Sequence, residues 1–147
     1  MNQIQFTGIC ETAARALRVD PSKHEGRYSF WLDEIEILMD FDAAEDTDAL
    51  YFYIDLGETG PHDRAEVCQQ LLQLNLNTHG HLRGAYAFDG GSSRAIFCGE
   101  LRDAEALDGE FVAEMLRFHA DQTRTARDVA GLRAAESGGI LLTSVLA

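Results

Sequence analysis

The sequence predicts an α+β domain in the order α-β-β-β-α-β-β-α, with helices packed on a mostly antiparallel twisted sheet. Three observations lead there. Residues 28–42, "YSFWLDEIEILMDFD", alternate apolar and polar side chains on both sides of a turn at Asp33 and Glu34. Residues 83–101, "RGAYAFDGGSSRAIFCGEL", hold two β-rich runs about a Gly-rich turn, the signature of a hairpin. Around these runs stand three stretches whose apolar residues recur at helical spacing.

The first helix runs from Gln3 to about Val19, with Phe6, Cys10, Ala13, Ala14 and Leu17 on one face. "DPSKHEG" ends it, because Pro21 cannot continue a helix and Gly26 suits a turn. In the strand pair that follows, Tyr28, Phe30, Leu32, Ile35, Ile37, Met39 and Phe41 share one face. The other face carries Ser29, Asp33, Glu36 and Asp40, but also Trp31 and Leu38. Large apolar residues on a polar face suggest a surface meant for another polypeptide. "ALYFYIDL" gives the third strand, with Leu50, Phe52 and Ile54 alternating against Tyr51, Tyr53 and Asp55.

"GETGPHD" breaks the chain and can open a helix, since Pro61 is tolerated in a first turn. The second helix spans Arg64 to about Asn77. At roughly 100° per residue, Cys68, Leu72 and Leu76 point one way, and Val67, Leu71 and Leu74 occupy a neighbouring sector. That arc is wider than one sheet face covers, so it needs a second partner. After the hairpin, a long helix is expected from about Asp103 to Val129, with Leu107, Phe111, Met115 and Phe118 on one face. Arg124 and Arg127 near its end suit the helix dipole, and His119 is expected to be partly exposed.

Composition narrows the function. At 147 residues the chain fits one domain, and its net charge of −13 opposes nucleic acid and anionic membrane surfaces. Between Asp33 and Asp48 lie eight carboxylates and no Lys or Arg. An EF-hand calcium loop is excluded there: counted from Asp40, the positions that need Gly and Glu hold Glu45 and Tyr51. The first residues lack the apolar core of a secretory signal, and no stretch is apolar enough to span a bilayer. Cys10, Cys68 and Cys98 are odd in number and sit in apolar patterns, which points to small core side chains in a reducing cytoplasm.

Chemistry is sparsely represented. "DGGSSR" lacks the lysine and the following helix of a phosphate loop and reads as a turn. His79 and His81 in "THGH" could join acids in a small metal-dependent enzyme, but their place beside a helix end reads first as a polar loop. His24 and His62 lie in turns without Ser or Cys motifs nearby. No catalytic residue, metal site or cofactor is assigned.

The first helix "FTGICETAARALRV", the strands "YSFWLDEIEILMDFD" and "LYFYIDL", the helix "VCQQLLQLNLNTHG", the hairpin and the final helix together resemble class I type III secretion chaperones, the Tir-chaperone-like family of bacteria. Within "LLQLNL", a leucine pair followed by Asn75 is the most telling local pattern. The resemblance implies a cytoplasmic homodimer without nucleotide hydrolysis. Such a protein binds the N-terminal region of a secreted effector, holds it extended and helps deliver it to the secretion apparatus, with a secretion ATPase as a further partner. It assigns residues 1–130 to the chaperone-like domain. It also implies dimerisation through the second helix, for which Val67, Leu71 and Leu74 are the expected contacts. Effector contacts are expected from Ile4, Ile9, Trp31, Leu38, Tyr51 and Tyr53. Residues 131–147, ending in the uncharged "SGGILLTSVLA", depart from the family pattern: they form either a disordered tail or an extended strand able to occupy the chaperone's own client groove. A related α+β interaction or sensory domain that binds a regulatory protein is the rival reading.

Overall fold

The computed structural model describes residues 1–130. Helix α1 spans Gln3–Leu17 and is followed by β1 (Ser22–His24), β2 (Arg27–Leu32), β3 (Ile35–Asp40) and β4 (Leu50–Glu58). Helix α2 (Arg64–Thr78) leads into β5 (Gly84–Asp89) and β6 (Arg94–Leu101). A short 3-10 turn at Ala104–Ala106 precedes α3 (Gly109–Ala130). All strand pairs are antiparallel in one six-stranded sheet ordered β1-β2-β3-β4-β6-β5.

Each predicted element is present, and α1 buries Phe6, Cys10, Ala13, Ala14 and Leu17 as its spacing required. Its start is fixed by a capping box. The Asn2 side chain accepts the Ile4 and Gln5 amides at 3.0 Å each, and the Gln5 side chain accepts the Asn2 amide at 2.9 Å. Trp31 pairs with Glu36 and Ser29 with Leu38 across a two-residue turn in which Asp33 and Glu34 both have positive φ. That is the turn class whose twist matches a hairpin.

Two expectations about elements change. The sheet gains β1, which pairs with β2 through a turn at Glu25 and Gly26. Three exposed residues bear no apolar alternation, so this edge strand leaves no periodic trace. Helix α3 begins at Gly109 rather than Asp103, because Asp103 takes a left-handed backbone conformation that interrupts any helix there.

The buried face of α3 also differs from the expected one. Val112, Ala113, Leu116, His119, Ala120, Thr123 and Ala126 face the core, while Phe111 and Phe118 are half-exposed. Small residues win this face because they let α3 approach α1 and the sheet closely. A Cβ on Gly109 would collide with Thr12 of α1. His119 is therefore buried, contrary to the partial exposure expected, and its ring packs against Phe52 and Phe97 with centroids 4.9 and 5.5 Å away.

All three helices bury their apolar residues in one cluster with Tyr28, Phe30, Ile37, Phe52, Ile54 and Phe97. A second, smaller cluster, Leu38 and Ile96 with Tyr53 and Cys98 against them, lies on the opposite sheet face. The sheet thus has an inner face under the helices and an outer face.

Candidate protein-binding surfaces

The outer face is built by the polar-side residues of the strands. Ser29 Oγ donates to Glu36 Oε1 at 2.8 Å across β2 and β3. On β4 and β6, the Arg94 guanidinium grips the Asp55 carboxylate with two bonds, from Nε at 3.0 Å and Nη2 at 2.5 Å. Asp55 also accepts the Gly57 amide at 3.1 Å, where the β4–β6 register shifts. These polar groups are buried, and Asp55 and Arg94 satisfy one another, as desolvated charges require.

Farther along the same strands the outer face opens into a groove of about 440 Å³. Tyr51, Tyr53, Cys98 and Gly99 line it, with Arg83, Glu100 and Arg102 among its other residues. Burial raises the Cys98 thiol and the Tyr53 hydroxyl above their ordinary pKa values, and the Asp40 carboxylate adds to the effect at Tyr53. Both side chains are neutral near pH 7, so the groove offers aromatic surface and hydrogen-bonding groups rather than a nucleophile. Arg102 also ties down the acidic loop, reaching Asp46 at 2.6 Å. Asp46 in turn accepts the Asp48 amide, which is the main reason its carboxyl titrates below the usual range.

A second trough runs between α1 and α3. Gly8, Ile9 and Thr12 face Leu107 and Gly109 in one hollow, and Leu107 also lines a second one with Phe111 and Met115. Ile4, one turn before Gly8, is 84% exposed. The half-exposed stripe of α3 that helical spacing identified is thus a surface feature rather than a core face.

On α2 the wide apolar arc divides into two sectors. Val67 and Leu71 are buried in the chain's own core and Leu74 packs against it, so little of their area remains for a second copy. Leu72 and Leu76 stand 69% and 72% exposed. The sector expected to meet a second copy, Val67, Leu71 and Leu74, is thus largely covered by the chain itself, and the neighbouring sector is open. The surplus was legible in the arc; the sector that carries it was not.

Of the expected effector contacts, Tyr51 and Tyr53 meet in the outer groove, Trp31 is half-buried on the same sheet face, and Ile4 and Ile9 belong to the α1 surface. Leu38 is buried beneath the outer face. Sequence reasoning missed Arg83, Glu100 and Arg102, whose placement depends on strand order. Among the described residues, no three His, Cys, Asp or Glu side chains converge as metal ligands, His79 and His81 included. No helix among them is long and apolar enough to cross a membrane.

A sheet with helices on one face, a tyrosine-lined groove on the other and large apolar side chains exposed on every helix defines a polypeptide-binding domain. The chain belongs to the Tir chaperone protein (CesT) family, whose family model matches residues 14–127. Its fold is similar to a chain of the HopA1–SchA chaperone–effector complex, with a TM-score of 0.62 at 14% identity over 86% of this chain and 95% of that one. It is also similar to a chain of the ExsC–ExsE complex, with a TM-score of 0.61 at 18% identity over 83% of this chain and 92% of that one. Comparison with curated proteins finds no match.

Proposed function

We propose that this chaperone acts in the bacterial cytoplasm as a homodimer that binds the N-terminal region of its effector and holds it extended for the secretion apparatus, without catalysis. One observation carries the reading: Ile4, Leu72, Leu76, Phe111 and Phe118 remain at least 45% exposed, in a chain otherwise able to bury a complete core. Exposed apolar area of this kind marks contact surfaces.

The surfaces suit two partners. Leu72 and Leu76 form a compact patch on one helix, which a two-fold axis can match to itself in a second copy. The hollow between α1 and α3 and the Tyr51–Tyr53 groove suit an extended chain whose alternate side chains enter apolar hollows. Backbone pairing at the sheet edges has less room: β1 offers only three residues, and the Asn75 side chain occupies the outward hydrogen-bonding groups of Tyr86 on β5.

A net charge of −13 supports a client segment of basic or weakly charged character and speeds encounter with a basic one. The charge also opposes unwanted self-association of the apolar surfaces.

The test is co-purification from the native cell, followed by limited proteolysis of the complex and identification of the protected segment. The expected result is one protected stretch near the effector's amino terminus, bound by a dimer. Protection of a folded internal domain instead would overturn the proposal. The association rate with that segment should fall as salt rises, and a salt-independent rate would remove the steering role of the charge.

A further inference from the structure

Two hollows on different faces of the molecule share part of their walls. Arg83 and Arg102 line both the outer groove of Tyr51 and Tyr53 and the hollow of about 570 Å³ beside Phe111 and Met115. The groove belongs to the sheet face away from the helices and the hollow lies against α3, so the two meet round the end of the β5–β6 pair. Leu107 and Asp108 are shared in turn with the hollow that reaches Ile9 on α1. Neighbouring walls thus form one track from Tyr53 to Ile9. All of these residues are described ones; the tail expected over 131–147 lies outside them.

The backbone fixes the junction. Gly84 pairs with Gly99, and a Cβ on Gly84 would collide with the Cys98 carbonyl and the Phe97 ring. The chain therefore enters β5 pressed against β6, which holds Arg83, the preceding residue, at the rim of the sheet. Arg102 stands beside it because Leu101 is the last residue of β6.

The two arginines differ in how their charge is met. Arg102 is matched by Asp46 at 2.6 Å and by Glu100 at 3.2 Å. Asp108 is engaged with the Phe111 amide at the start of α3. Arg83 is exposed and, among the described residues, forms no hydrogen bond or ion pair. In a chain with 25 acidic and 12 basic side chains, a cation between two apolar hollows that lacks a carboxylate is conspicuous. A guanidinium presents paired N–H donors in the geometry of a carboxylate.

We propose that Arg83 selects the bound segment. The inference rests on the reading that the protein holds an extended effector segment. Arg83 takes an Asp or Glu of that segment, and the apolar residues on either side of the acid seat in the Tyr51–Tyr53 groove and in the Phe111–Met115 hollow. Apolar hollows alone accept many sequences, whereas one oriented charge pair between them fixes the register of the chain that crosses. A segment that is basic or uncharged elsewhere accommodates this single acid.

The test is selection from a random peptide library displayed on phage, against the immobilised full chain and against its Arg83→Gln variant. The variant should keep the wild-type thermal midpoint, because the side chain is exposed. Wild type is expected to enrich peptides with one Asp or Glu between apolar residues, and Arg83→Gln to keep the apolar preference and lose the acidic one. Equal acid content in the two selections, or no such enrichment by wild type, would overturn the proposal. For one selected peptide, replacing its acid by the corresponding amide should weaken binding to wild type about tenfold and leave binding to Arg83→Gln unchanged. Tyr53→Ala and Phe111→Ala should each weaken the same peptide, and a loss in only one of them would show two separate sites and sink the single track. The library contains no effector, so a failure to capture one from the cell leaves these results standing. An acid-blind selection, conversely, leaves the extended-segment reading standing.

Discussion

The side chain of Asn75 completes the edge strand of the sheet at Tyr86. Its Nδ2 donates to the Tyr86 carbonyl at 2.9 Å and its Oδ1 accepts the Tyr86 amide at 2.7 Å. A single amide thus imitates the next strand, joins α2 to β5, and closes part of an edge that could otherwise template aggregation. Asn75→Ala leaves two partly buried backbone groups without partners, and the expected loss is about 2–3 kcal/mol by urea denaturation. Asn75→Asp should cost more near neutral pH, because a carboxylate oxygen then faces the Tyr86 carbonyl. Hydrogen exchange at the Tyr86 amide should accelerate in both variants, and unchanged exchange would show that the edge is protected by other means.

The exposed leucines of α2 predict the consequence of breaking the proposed dimer. Leu72→Asp with Leu76→Asp is expected to yield a folded monomer by light scattering, with little change in thermal midpoint when measured at low concentration. Val67→Asp is expected to unfold the protein instead, since it places a carboxylate in the chain's own core. A stable dimer in the double leucine variant would move the contact elsewhere.

His119 predicts a pH dependence of stability. Its Nδ1 lies 2.8 Å from the Met115 carbonyl, so Nδ1 carries the proton, and Nε2 is buried without a partner among the described residues. Burial lowers its pKa, opposed only in part by the bond to Met115. The neutral form is favoured in the folded state, so its contribution is present above the unfolded pKa of about 6.5. That contribution is lost as pH falls from there toward the lowered folded value, because the unfolded chain takes up the proton first. His119→Phe should flatten this part of the stability–pH curve relative to wild type in denaturant titrations. Parallel curves would exclude His119 as the source.

The β2–β3 turn offers a gain in stability. Asp33 and Glu34 take φ values of 46° and 67°, a conformation that costs a residue with a Cβ about 1–2 kcal/mol. Glu34→Gly is expected to raise stability by about 1 kcal/mol while leaving the Asp33–Arg124 ion pair in place. A lower thermal midpoint would show that the Glu34 side chain matters more than its backbone, through its field at Arg127.

How much of this was legible in the sequence differs by feature. Phe6, Cys10, Ala13, Ala14 and Leu17 could be read as the buried stripe of α1, and the inner residues of β2, β3 and β4 as core, because each set repeats with the period of its own element. Two apolar stripes coexist on α3, and spacing alone favoured the larger residues. Close approach to α1 at Gly109 selected the smaller ones instead and carried His119 into the core. Asn75 was conspicuous in "LLQLNL", yet its partner lies eleven residues away across a loop, where no local pattern reaches.

By itself, the sequence determined the element order, the faces of the strands, the acidity and the presence of surplus apolar area, since all of these follow from local periodicity and composition. Only the tertiary structure decided which sector of α2 and which stripe of α3 remain uncovered, and which strands stand side by side to bring Tyr51 and Tyr53 together with Arg83 and Arg102. The physical reason is that burial is a property of pairs of surfaces. A helix or strand specifies what it can hide, and its neighbours determine what it does hide.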